Sequence, residues 1–463
     1  MSIADHATEQ PISRPAPSSG NAVSRAAVFV ATTLLVAVVL VLQSNLRESL
    51  TADIKLDPQV MLRLGLLAVC GIYGTIYLPR TLPDLLRFPM ALLLLFALWN
   101  FVTAMFAINL IYAMTSSAGL LGCALAIAAV LHTLGGKRTV VTIAVSLVVW
   151  LAASWAFFLL VPQIGREPFN LDQDMVGLRL AGLSHPNGTG TFAALAMVLL
   201  MVIGVEGWAP WKWLALPMAF GGASLWASDS RTAMLALIAS AAVVGLRRVR
   251  PLYWGAGLVA SLLLGMAWLL AGQPGMKIGM QDFARTGEAE EISEFNGRTE
   301  VWRMVREEIK RSPLVGYGHG CQRIVIERFP LDWDPNTAHN AFLQVSLGSG
   351  WLSGLLLGSM FLWLLIRGIR RPDAFPDAVA TFIFVGAMAH AGLLGAIPDS
   401  NSVVFMVALM WRSAGKAEGR AAAHHAAQER EYTMSERVHR TRITTAQDGL
   451  VTAGRISASR GGA

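Results

Sequence analysis

Residues 337–366 read TAHNAFLQVSLGSGWLSGLLLGSMFLWLLI. From Leu343 to Ile366 the run carries no charged residue. At ~1.5 Å per residue it is long enough to cross the ~30 Å hydrocarbon core of a bilayer as a helix. His339 and Asn340 stand at its lip, directly after a long polar segment, so the imidazole is expected at the water boundary, hydrated enough to exchange protons.

The pattern repeats along the chain. Of 463 residues, 54% are hydrophobic and 14% charged, whereas soluble domains are about a quarter charged. Apolar runs occupy 26–42, 60–78, 89–108, 113–134, 140–161, 191–205, 213–227, 232–246, 252–271, 343–366, 378–397 and 403–411. The last is short enough to be re-entrant or to start earlier. The expected fold is an all-α polytopic membrane protein of about 12 transmembrane helices, with a large outer loop at 272–338 containing short amphipathic helices. Residues 1–25 and 412–463 are expected to be polar cytoplasmic tails, the second of them disordered. Cys70 and Cys123 lie in apolar runs and Cys321 in the loop, which gives no disulfide framework.

Short cytoplasmic loops are enriched in Lys and Arg. One set of alternate loops holds Arg80, Arg87, Lys137, Arg138, Lys212, Arg247, Arg248, Arg250, Arg367, Arg370 and Arg371. The opposite set holds Arg47, Lys55, Arg63, Arg166, Arg179 and Arg231. Both termini are therefore expected in the cytoplasm, and chemistry is expected in the outer regions 162–190, 228–231 and 272–338. A twelve-helix transporter usually shows two similar halves, and no internal repeat is found.

In the long loop, FNGRTEVWRMVREEIKRSP (295–313) predicts an amphipathic helix, N-capped by Asn296 and stopped by Pro313. Val301, Trp302, Met304, Val305 and Ile309 share its apolar face, while Arg303, Arg306, Glu307 and Lys310 take the other. Arg298 stands in its first turn, where free N–H groups favour an anion. Arg231 heads an apolar run on the disfavoured side of the membrane, its bland alternative being an ion pair with Asp229 or a snorkelling anchor. Arg179, His185 and Asn187 lie in the Gly-rich stretch RLAGLSHPNGTG (179–190), which also reads as a turn. His319 is expected as a loop residue and His390 as a satisfied polar group inside a span. The triplets Asp172–Asp174 and Asp332–Asp334 hold too few ligands for a metal site, and no metal or cofactor is expected.

Together, RLAGLSHPN (179–187), SDSRTAMLAL (228–237), NGRTEVW (296–302), SPLVGYGHG (312–320) and AHNAFLQVSLGSGWLSG (338–354) resemble the membrane core of the O-antigen ligase and polymerase superfamily, which includes exopolysaccharide polymerases. The resemblance implies transfer of a glycan from an undecaprenyl-pyrophosphate-linked donor to an acceptor hydroxyl at the periplasmic face of the bacterial inner membrane. The acceptor is a lipid A-core or a growing glycan, and no nucleic-acid partner is implied. Arg231, Arg298 and His339 match the functional arginines and histidine of the ligases, with Arg179, His185, Asn187 and Asn340 as substrate-binding candidates. The ligase motif H-[NSQ]-x9-G-x-x-[GTY] is met at His339, Asn340 and Gly350, but position 353 is serine. A polymerase of the same superfamily is the nearest alternative, and a lipid-linked sugar flippase the alternative of another class.

Overall fold

The structure, a computed structural model, describes residues 24–44, 58–172, 175–246, 298–331 and 335–411. The expected span 252–271, the loop segment 272–297 with Asn296, the triplet 332–334, the basic residues 247–250 and the tail 412–463 lie outside the described residues, as does nearly all of the 1–25 tail. The elements are α1 Arg25–Val41, α2 Pro58–Leu85, α3 Met90–Ala104, α4 Leu110–Leu160, α5 Pro162–Gly165, β1 Arg166–Asp172 and β2 Met175–Leu180. They continue with α6 Pro186–Val205, α7 Trp211–Ser228, α8 Arg231–Leu246, α9 Arg298–Arg311, α10 Gln322–Ile326, α11 Ala341–Arg370, α12 Ala374–Ala387 and α13 Ser400–Trp411.

Among the described residues, α2, α4, α6 and α11 are long and apolar enough to cross a membrane, and the shorter apolar α1, α3, α8, α12 and α13 accompany them. At 51 residues α4 is too long for one crossing. Gly135, at φ 74° and ψ 165°, divides it into the two helices that the runs 113–134 and 140–161 predict. This element is the centre of the bundle and packs on α1, α2, α3 and α6. Small residues bring backbones together there: a Cβ on Gly74 would lie 2.5 Å from that of Leu125. Outward, Phe29, Ile72, Ile111, Leu160, Leu216 and Trp226 are exposed, the surface of a multi-pass membrane protein.

The bundle has two unlike ends. At one, Trp411 stacks on Trp208 and packs on Phe375, with ring centroids 6.0 and 4.5 Å away, and covers Gly136. Its indole donates to Asp373 (2.7 Å), which also accepts from Arg367 (3.3 Å). This end gathers Lys137, Arg138, Arg370 and Arg371 by their positions beside Gly136, Arg367 and Asp373. The candidate site residues lie away from it.

Two expectations need correction. The run 343–366 is not one continuous span: α11 breaks at Ser349 (φ −136°, ψ 27°) and Gly350 (φ 76°, ψ 171°). The segment 312–320 crosses the break and satisfies its backbone. The amides of Tyr317 and Gly318 donate to the carbonyls of Leu347 (3.0 Å) and Gly348 (2.7 Å), and that of Trp351 donates to Pro313 (2.9 Å). The Trp99 indole donates to the Ser349 carbonyl at 2.8 Å. Such pairing is what non-helical backbone inside a membrane protein needs. A Cβ on Gly350 would meet the Leu314 carbonyl oxygen at 2.0 Å, so the motif glycine is a crossing point for two backbones.

Second, the run 378–397 is helical only to Ala387. Residues 388–399 are irregular, which takes His390 out of the helix, and α13 starts at Ser400 with Asp399 accepting from the Ser402 amide (2.9 Å). The architecture is helical as expected, with one small addition, an antiparallel hairpin, β1–β2, pairing Arg166 with Leu180 and Glu167 with Arg179. Its base is pinned to α4: a Cβ on Gly165 would lie 2.4 Å from the Phe157 backbone, and the Arg166 Nε donates to the Phe158 carbonyl (2.8 Å). By contrast α9 follows its prediction, with Val301 and Val305 buried. It packs against α11 and thereby caps the bundle.

Candidate active site

His339 directly precedes the helix cap of α11. Asn340 accepts from the Leu343 amide through its Oδ1 (3.1 Å) and donates from its Nδ2 to the Met388 carbonyl (3.3 Å). On the other side, the Ala338 amide donates to Gln344 (2.8 Å) and the Ala338 carbonyl accepts from the Trp302 indole (2.8 Å). His339 itself lies at φ 49°, the left-handed region that histidine enters more readily than bulkier residues. The clamped neighbours hold it there.

Arg298 opens α9, and its Nη1 donates to the Ala389 carbonyl at 3.2 Å. The starts of α9 and α11 thus meet on consecutive carbonyls of the 388–399 segment. The half-buried His339 imidazole has its pKa pushed down to about 4, first by burial, then by the charges of Arg298, His390 and His185. It is therefore neutral at ordinary pH, with a lone pair ready to accept a proton.

The hairpin and the first turn of α6 form a second group. Arg179, 3% exposed, donates to the carbonyls of Ser228 (3.0 Å) and Asp229 (3.4 Å) and to the Asn187 side-chain oxygen (2.9 Å). It also pairs with Glu167 at 3.7 Å. His185 caps α6, its Nδ1 accepting from the Asn187 amide (3.2 Å). The neutral ring therefore carries its proton on Nε2, which faces Glu167 at 3.5 Å. A Cβ on Gly190 would lie 2.4 Å from both the Ser228 Oγ and the Ser230 Cβ, so the first turn of α6 rests on the 228–230 turn.

Arg231 follows that turn as the first residue of α8 and is exposed. The structure moors Arg298 and Asn340 to consecutive carbonyls beside His339, joins Arg179 to Asn187, and sets Arg231 directly after the 228–230 turn that Arg179 holds, while His185 acts on His339 through its charge. His319 is buried in the 312–320 crossing, edge-on to Phe96 at 6.5 Å, and burial pushes its pKa down to about 4. Its role there is packing. Asp172 ends β1.

Three residues beside the site escape a reading by motif. Glu167 is visible only once the hairpin places it opposite Arg179. Asp399 had a usable signal, the DSNS (399–402) cap ahead of an apolar run. His390 had none, because its surroundings are set by the break after α12.

Residues 216–358 match the family model described as O-antigen ligase. That segment contains Arg231, Arg298 and His339, but not the hairpin, the cap of α6 or the 388–399 segment. No curated protein matches the chain.

Proposed function

From the match of residues 216–358 to the O-antigen ligase family model, we propose that this protein transfers a glycan from an undecaprenyl-pyrophosphate-linked donor to an acceptor hydroxyl. The transfer takes place at the outer face of the bacterial inner membrane, with both termini in the cytoplasm and a lipid A-core as acceptor. The acceptor oxygen attacks the anomeric carbon and loses its proton to His339. The bond from that carbon to the pyrophosphate breaks, its electron pair leaving with the phosphate oxygen. One displacement inverts the anomeric centre.

The observation that supports this reading best is the meeting of Arg298 with a neutral, half-buried His339 across the 388–389 carbonyls. Negative charge grows on the pyrophosphate as the bond breaks, and guanidinium groups answer it with paired N–H donors. Arg298, at a helix start that itself favours anions, and Arg231, at the start of α8, are the groups for that task. Each charge-assisted hydrogen bond contributes about 1.5–3 kcal/mol, enough for two arginines to act without a metal ion. In this reading Arg179, His185, Asn187 and Asn340 serve as substrate contacts or supports.

The stretches GRTEVW (297–302) and PLVGYGHG (313–320) are as compatible with a polymerase as with a ligase. The broken α11 and interrupted 388–399 segment also suit a flippase, since transporters use discontinuous helices. One experiment separates the three. The purified protein in proteoliposomes receives a lipid-pyrophosphate glycan and candidate acceptors, with and without EDTA. A single capped product that persists in EDTA is expected. A ladder of products identifies a polymerase, and movement of donor without bond formation overturns glycan transfer.

A further inference from the structure

The 388–399 segment holds a second titratable pair that the proposed reaction leaves unused. His390 Nε2 and Asp399 Oδ2 stand 2.8 and 3.1 Å from the point where a Cβ on Gly392 would lie. Imidazole and carboxylate thus face one small space that any residue larger than glycine would fill. The carboxylate is fixed: Oδ1 accepts from the amide and the hydroxyl of Ser402, both at 2.9 Å, and Oδ2 accepts from the Asn401 amide group at 3.0 Å. It sits at the start of α13, where the helix dipole favours an anion.

On its other side, His390 follows the two carbonyls that hold the site, Met388 on Asn340 (3.3 Å) and Ala389 on Arg298 (3.2 Å). It therefore lies between a fixed anion and the backbone to which the reacting groups are moored. Among the described residues, the charged and titratable groups acting on His339 are Arg298 from the start of α9, His390, and His185 from the cap of α6, and those acting on His390 are Asp399 from the cap of α13 and Arg298. Burial and Arg298 oppose a proton on His390, while Asp399 favours it.

We propose that His390 is a positioning residue for the transfer: by taking or releasing a proton beside Asp399, it sets the positive charge against which His339 accepts the acceptor's proton. The inference rests on His339 being the base of the reaction proposed above. A protonated His390 adds its charge to that of Arg298, which favours the pyrophosphate and opposes a proton on His339. A neutral His390 reverses both effects.

The test is a histidine titration of the full chain in nanodiscs. Selectively labelled imidazoles are followed by NMR, with His339 assigned by its loss in His339→Asn, in wild type, His390→Gln and Asp399→Asn. Asparagine is itself a good helix cap, so Asp399→Asn keeps the start of α13. Without the second imidazolium, the His339 midpoint is expected to rise by about half to one pH unit in His390→Gln. It should move the same way by less in Asp399→Asn. The acid limb of kcat/KM should follow, while KM for the donor changes less than about 3-fold. An unmoved His339 midpoint in the variants that keep wild-type thermal unfolding overturns the proposal. A moved midpoint in proteins that transfer no glycan leaves the coupling of the two imidazoles standing but sinks the proposed function, and with it the positioning role, so the two failures are distinguishable.

Discussion

Arg179 and Arg298 are both arginines singled out by the sequence, but their surroundings differ. Arg179 is buried and directs its guanidinium at two carbonyls, an amide oxygen and Glu167, all part of the fold. Arg298 is half-buried, bonds the Ala389 carbonyl, and projects its field onto two histidines. A guanidinium spent on acceptors of its own chain holds elements together. One that depresses a neighbouring imidazole alters proton chemistry. The first region is accordingly a latch, tying the hairpin and α6 to the turn before Arg231, and the second is the one proposed to handle protons and anions.

That division is tested most strongly at His339. Replacing it by alanine should lower turnover about 10²–10⁴-fold with donor binding largely kept. Turnover at the parental rate in purified His339→Ala would remove the imidazole from the mechanism and erase the difference between the two regions. Next in size, Arg298→Ala and Arg231→Ala should each weaken the interaction with the pyrophosphate by about 10–100-fold, the loss of one or two charge-assisted bonds. Lysine should restore little of it, because paired donors are lost. Unchanged donor affinity and rate in both alanine variants would eliminate the arginine clamp.

Arg179→Ala sharpens the contrast by failing differently. It leaves the Ser228 and Asp229 carbonyls and Glu167 without their guanidinium, so stability should fall by about 2–3 kcal/mol. Thermal unfolding and proteolysis of the hairpin should report the loss, with only a several-fold drop in transfer by the protein that remains folded. Unaltered unfolding together with a drop as large as that of Arg298→Ala would move Arg179 into the reacting region.

How far the sequence foretold this arrangement depends on what each feature is made of. Apolar runs showed helices α1 to α4, with the two halves of α4, and α6 to α8, since lipid burial leaves its mark on every residue of a span. The amphipathic period of 298–311 gave α9 and its buried face. Motif spacing singled out Arg298 and His339 although 40 residues separate them in the chain. The break in α11 was not legible as a break, because Ser349 and Gly350 look like two more small residues in an apolar run. What opens the helix is the 312–320 segment crossing it, a long-range backbone contact with no local periodicity. The hairpin escaped because its main signal is one cross-strand pair, and His390 because an isolated imidazole says nothing of the carboxylate nine residues later that faces it over Gly392.

The smallest expected effect is a shift in pH dependence, and it follows from the field that separates the two regions. In the proposed reaction the working form of His339 is neutral, and its pKa in the free protein is pushed down to about 4 from the ordinary 6.5. The acid limb of kcat/KM, which reports the free enzyme, should therefore fall well below the usual histidine range, with activity kept through pH 6 and lost as pH drops toward that value. Folding obeys the same sign: the unfolded chain binds the proton more readily, so stability is full above about pH 6.5 and declines on the way down to about pH 4. In Arg298→Ala one of the charges opposing protonation is gone, so the limb should move to higher pH by a fraction of a unit. The limb of kcat should lie above that of kcat/KM, because a bound pyrophosphate stabilises the imidazolium. In Arg179→Ala neither limb should move, since Arg179 is not among the charges acting on His339. A limb displaced equally by both arginine substitutions would mean that latch and reacting centre share one field, and the distinction between them would not survive.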